Sequence, residues 1–184
     1  MRRLKLQVQT TVDGFMAGPD GAMDWMSTDW SDDVGSHVEA LMEGVDHMIL
    51  GRRLAEGFIP HWLARPEWEP EESIDWMNAT PKTVVTTTLA ESPWDGVALA
   101  RDPVGAVEGL RAAGGGDVIA YGGGTLVRSL IGAGLVDEVH LFVNPVAVGS
   151  GMAVFPQGMT PLRTVGVHPF ACGITALHLE PAAG

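Results

Sequence analysis

One cysteine, Cys172, and only 11 basic residues occur among 184, against 23 acidic ones. A lone cysteine excludes an intrachain disulfide framework and fits a reducing compartment. The formal charge of −12 argues against a nucleic-acid surface, and any anionic ligand needs local help to bind. No apolar run reaches the roughly 20 residues of a membrane span. The start, Met1-Arg2-Arg3, leads into an alternating segment, with neither the apolar core nor the cleavage site of a signal peptide. A cytoplasmic protein with no membrane or nucleic-acid partner is therefore expected. The six histidines (His37, His47, His61, His140, His168, His178) show no His-x-x-x-His spacing, so no metal is expected. One cysteine cannot supply the Cys-x-x-Cys of a zinc deaminase, and no Gly-x-Ser-x-Gly elbow occurs. No repeat, low-complexity segment or linker divides the chain. With 46% hydrophobic and 18% charged residues, residues 1–184 read as one compact domain.

What is present centres on Asp117 to Phe155. Asp117 to Tyr121 is a short apolar run suited to a buried strand, and Gly122, Gly123 and Gly124 follow as a turn. Leu126, Val127, Leu130 and Ile131 recur at helical spacing until Gly132 and Gly134 supply a stop. A helix N-terminus thus opens off a strand end. Its first amides lack partners within the helix and its macrodipole is positive there, so a phosphate can sit against Gly123, Gly124 and Thr125. The Rossmann fingerprint would need a glycine at Val127 and an acid near Phe142, and no Gly-Lys-Ser/Thr follows as in a Walker loop.

Along the rest of the chain, Leu4, Leu6 and Val8 alternate with Lys5, Gln7 and Gln9, a strand with two unlike faces. The turn-rich segment TTVDGFMAGPDGAMDW follows, and with Trp30 its Met16, Met23 and Trp25 form a candidate substrate wall, or else a cover for the core. Ser31 is a helix cap with Asp32 and Asp33 in the first turn. Val45 to Leu50 is a strand, and Gly51-Arg52-Arg53 opens a second strand-to-helix turn. From Phe58 to Pro81 the pattern dissolves into an excursion with a short helix near Ser73 to Asn78. Lys82 to Thr87 and Val97 to Ala100 are strand-like, and Asp102-Pro103 caps a helix ended by Gly114 to Gly116. Glu138 to Asn144 is a strand, and Leu162 to Phe170 with Ile174 to Glu180 form a hairpin. The expected fold class is α/β, a mostly parallel mixed sheet with an antiparallel C-terminal hairpin and helices on both faces.

Four blocks, VDGFMAGPDGAMDW, MILGRR, KTVVTTTL and YGGGTLVRSLIGAGLVDEVHLFVNPVAVGSGMAVF, carry a resemblance to the dihydrofolate reductase-like proteins grouped with the reductase domain of bacterial riboflavin biosynthesis. The resemblance implies the three-layer fold of that group and NADPH across the strand ends. It places Tyr121, Gly122, Gly123, Gly124, Thr125 and Leu126 beside the cofactor pyrophosphate, with Gly51, Arg52 and Arg53 opposite and Thr86 and Thr87 near the adenosine phosphate. It also implies a cis Gly122-Gly123 bond and homodimers. Proton delivery would fall to Asp32 or Asp33 on the first helix, with Asp13 as the alternative. Leu54 and Ala55 depart from the Thr-Tyr usual after the Gly-Arg pair, and Thr11 stands for a usual serine. Two functions stay open. One is an NADPH-dependent reductase of a heterocyclic or carbonyl substrate, pterin-like or riboflavin-precursor-like. The other is a non-catalytic ligand-binding module on the same fold.

Overall fold

Strand-forming runs and capped helices alternate along the chain, and the computed structural model, which describes residues 2–182, assembles them around one large sheet. The elements are β1 (Leu4–Thr11), β2 (Phe15–Ala17), α1 (Asp32–Met42), β3 (Val45–Gly51), α2 (Arg52–Leu63), α3 (Glu71–Ala79), β4 (Lys82–Val85) and β5 (Ala98–Ala100). They continue with α4 (Pro103–Ala113), β6 (Asp117–Tyr121), α5 (Gly124–Gly132), β7 (Glu138–Asn144), β8 (Met152–Ala153), β9 (Leu162–Pro169) and β10 (Thr175–Pro181). The sheet has eight strands in the order β5-β4-β3-β6-β1-β7-β10-β9, while β2 and β8 pair separately. From β5 to β7 every pairing is parallel, and the hairpin of β9 and β10 adds two antiparallel strands. The expected mixed sheet with an antiparallel C-terminal hairpin is present.

Side-chain alternation sorts the helices onto the two faces. Leu4, Leu6 and Val8 of β1 pack with Val107 of α4 and Leu126, Val127 and Leu130 of α5. On the opposite face α1 covers Phe142, Ile174 and Ala176, and α2 covers Leu50 and Val84. Leu4 and Leu6 are fully buried, and each such side chain contributes roughly 1.5–3 kcal/mol of transfer free energy. The other face of β1 is polar but dry, since Lys5 and Gln7 are only 5% and 7% exposed. The Lys5 ammonium donates to the Leu41 carbonyl at 3.0 Å, at the C-terminal end of α1.

Two local features show how the sequence sets the element ends. Asp102 accepts the Gly105 amide at 2.6 Å and Pro103 occupies the first turn of α4, a cap whose loss costs about 1 kcal/mol. The expected excursion from Phe58 is instead helical to Leu63, with Pro60 inside α2. Proline there forfeits its bond to the Glu56 carbonyl, but both residues are exposed, so water can serve that oxygen. The helix continues beyond it, with the Ala64 amide donating to the Pro60 carbonyl at 3.0 Å.

Candidate active site

The adjacent strands β3 and β6 send their helices to opposite faces of the sheet, α2 to one and α5 to the other. Such a crevice outside the carboxyl ends of the strands is where open α/β sheets bind ligands. Both helices begin on a glycine, Gly51 and Gly123, with no side-chain cap and no acidic residue in the first turn. Their opening amides are therefore left to solvent or to an anion, and two positive helix ends converge. The approach is close: a Cβ on Gly51 would lie 3.5 Å from that of Leu126, and one on Gly124 would overlap the Met152 thioether. The expected cis bond is not formed, as no peptide bond is cis among the described residues. Gly122 and Gly123 turn the chain instead with φ of +33° and +83°, angles that glycine reaches without Cβ strain.

Around this crevice lie the residues expected to hold a cofactor. Arg52 pairs with Glu56 at 2.5 Å, one turn on, while Arg53 is exposed. Leu54 stands against the glycine turn, its Cδ2 3.7 Å from where a Gly122 Cβ would be. An apolar side chain thus lies over the glycine turn. Thr86 is buried, and its hydroxyl accepts the amides of Thr88 and Leu89, each at 3.2 Å; Thr87 is exposed. Arg101, which the sequence reading passed over, donates to the carbonyls of Thr86 and Ala90 at 3.2 Å and to that of Leu89. Only its position after a strand could have marked it. The Tyr121 hydroxyl donates to the Met42 sulfur at 3.6 Å and its ring stacks on Phe58. Burial pushes the phenol pKa up, so it stays neutral.

The candidate proton carriers do not gather at one point. Asp13, in the turn after β1, accepts the Thr11 hydroxyl at 2.5 Å and the Gly149 amide at 2.7 Å. Thr11 Oγ1 also accepts the Phe15 amide at 3.0 Å, so its hydroxyl ties the turn together from both sides. Asp33 accepts the Ser31 hydroxyl and the Ala171 amide, the latter at 3.0 Å, tying α1 to the β9–β10 turn. These bonds hold both carboxyls below the usual range. Asp32 is exposed at the start of α1. Of the candidate substrate wall, Met16 is packed into the core, whereas Met23 and Trp30 are 40% and 41% exposed. Trp30 stacks on Phe142 with 6.3 Å between centroids. Trp25 is half-buried, with its indole nitrogen buried and unpartnered. The Ser27 amide donates to Asn144 Oδ1 at 3.0 Å, which pins this loop over the end of β7.

A family profile described as the RibD C-terminal domain matches residues 2–176. The chain is similar to the uncharacterized protein YyaP of Bacillus subtilis (strain 168), 27% identical over 180 residues, covering 96% of this chain and 93% of that one. In fold it is similar to a Shewanella sp. PV-4 protein named for riboflavin biosynthesis, with a TM-score of 0.76 at 20% identity, covering 98% and 99% of the two chains. It is also similar to a diaminohydroxyphosphoribosylaminopyrimidine deaminase/5-amino-6-(5-phosphoribosylamino)uracil reductase from Thermotoga maritima, with a TM-score of 0.70 at 15% identity. That match covers 98% of this chain but 57% of the other, so the chain spans little more than half of that protein.

Proposed function

The chain belongs to the RibD C-terminal domain family, and on that basis we propose that it is an NADPH-dependent reductase of a small heterocyclic or carbonyl substrate, pterin-like or riboflavin-precursor-like. The observation that carries this reading is the meeting of two uncapped helix N-termini at Gly51 and Gly123. The arrangement fits a pyrophosphate, because two sets of amides and two dipoles serve one anion in an otherwise acidic chain. When bound, NADPH would supply a hydride to the substrate.

The chain's own residues bind, orient and shield. The opening amides of α2 and α5 hold the pyrophosphate, and Arg52, exchanging Glu56 for a phosphate, joins Arg53 in preferring the 2′-phosphate. Arg101 fixes the Thr86–Ala90 loop at the adenosine side. Trp25 and Trp30, on the loop held by Asn144, wall the substrate side. Asp13 and Asp33, committed as hydrogen-bond acceptors, stay ionised, which leaves proton delivery to Asp32 or to water. The free edge of β9, with Val165 and Val167 45% and 54% exposed, is where a second copy would pair, which the sedimentation mass in solution would report.

Leu54 over the glycine turn favours a second reading, a module that binds nucleotide or another small ligand without turnover. Following NADPH oxidation with pterins, pyrimidinones and small carbonyls as acceptors separates the two. Oxidation that depends on one acceptor class supports the reductase. Nucleotide binding with no oxidation across all three classes supports the module.

A further inference from the structure

A second cluster lies away from the β3–β6 crevice, on the α1 side of the hairpin end of the sheet. Glu138 and His140 are two apart on β7 and share one face, and His178 of β10 is the direct cross-strand partner of His140. His37 of α1 and His168 of β9 line the same cavity of about 330 Å³. His140 Nε2 is 3.1 Å and His178 Nε2 is 3.5 Å from the same oxygen, Glu138 Oε2. The three side chains can each bring one ligand atom within 4.8 Å of the other two.

We propose that Glu138, His140 and His178 form a site for a divalent transition-metal ion, of which Zn²⁺ is the type, with its remaining coordination position open to the cavity. The distances fit the ion. With metal–ligand bonds near 2.0–2.1 Å, a tetrahedral site has edges of about 3.3 Å, and the two measured edges bracket that value. Two imidazoles and a carboxylate are a donor set that suits Zn²⁺, and not Mg²⁺ or Ca²⁺, which take oxygen ligands.

The surroundings supply an independent observation. Six buried side-chain nitrogen or oxygen atoms lack a partner among the described residues, and three of them are imidazole nitrogens of this cavity: His37 Nε2, His140 Nδ1 and His178 Nε2. Buried polar atoms are ordinarily satisfied, and an ion in this site would satisfy His178 Nε2 directly. The nearby cations are engaged elsewhere. Arg3 pairs with the other oxygen of Glu138, Oε1, and with Asp117. Lys5 donates to the carbonyls of Leu41 and Glu43 at 3.0 and 3.5 Å and lies 3.4 Å from Asp117.

An ion here would clamp β7 to β10 beneath α1, and because the unfolded chain lacks the site, binding would stabilise the fold. The proposal does not rest on the reductase reading. Its test uses untagged protein dialysed against a chelator, titrated calorimetrically with Zn²⁺ at pH 7.5 and melted with and without the ion. His178→Gln and Glu138→Gln are the ligand variants, and His61→Gln is the control at the exposed His61–Glu69 pair. The expected result is one ion per chain at micromolar Kd or tighter and a melting temperature raised by several degrees. Each ligand variant should bind at least ~10-fold more weakly, and the control should bind as wild type. No binding tighter than ~100 μM, or binding retained in both ligand variants, overturns the site, as does loss in the control alone. Should a variant not fold, Co²⁺ added to the wild-type chain decides: visible bands of tetrahedral coordination support the site, and their absence overturns it.

Discussion

A Cβ placed on Gly123 would lie 3.6 Å from the Cα of Gly51, so the turns that open α5 and α2 touch backbone to backbone. That distance is an ordinary contact, and the greater demand on the site is the φ of +83°. Gly123→Ala should therefore cost about 1–2 kcal/mol from the left-handed backbone. It should also weaken NADPH binding at least ~10-fold, because relief of that backbone angle moves the opening amides of α5 away from the proposed pyrophosphate position. Urea denaturation and nucleotide titration measure the two effects. Gly35→Ala is the contrast, because that glycine sits within α1 with nothing near its Cβ position. There the change should stabilise the chain by about 0.5–1 kcal/mol.

Leu54→Thr tests whether the apolar residue over the glycine turn sets cofactor affinity. Leu54 packs against the cluster of Leu50, Ala55 and Ile59, so the change should destabilise by about 1–2 kcal/mol. On the proposed reading it should tighten NADPH binding several-fold, since the hydroxyl becomes an added donor at the phosphates. Unchanged or weaker binding in folded protein would show that the position does not face them.

How much of this was legible beforehand depends on whether the signal was local. The α4 cap at Asp102-Pro103 and the glycine turn before α5 were readable because each is set by residues within one turn of chain. The continuation of α2 through Pro60 was not, since it depends on the exposure of Glu56 and Pro60. Lys5 and Gln7 marked an unlike face on β1, but alternation cannot tell solvent from the underside of α1. At the candidate site, the glycines and Arg52 were readable as blocks. Arg101 was missed because it acts through carbonyls 11 to 15 residues away. The Glu138–His140–His178 cluster was missed for a related reason: a spacing search finds ligands close in sequence, and His178 arrives by strand pairing.

Met16 and Trp30 were grouped as one wall, yet one is 5% and the other 41% exposed. Met16→Ala should cost about 2–5 kcal/mol by opening a core cavity. Trp30→Ala should cost only about 0.5–1.5 kcal/mol, the worth of its stacking on Phe142. If Trp30 lines the substrate side, its loss should raise KM with little change in the melting temperature. Chemical denaturation and steady-state kinetics on the two variants distinguish the roles.

Stability should fall as pH drops from 7 towards 5, before most carboxylates titrate. His37, His47 and His178 all have their pKa lowered by burial. A depressed folded-state pKa means that the unfolded chain binds protons first. The associated stability is present above the unfolded value near 6.5 and is lost as pH falls through the folded one. Urea midpoints at pH 7.5, 6.5 and 5.5 should decline in that order. A flat profile down to pH 5 would contradict burial of the neutral imidazoles.

The most direct test of the central claim is calorimetric titration of the chain with NADPH and, separately, NADH, repeated on Arg52→Ala. The account predicts micromolar NADPH binding, much weaker NADH binding, and a loss of at least ~10-fold for NADPH in the variant. Absence of binding by either nucleotide would contradict it.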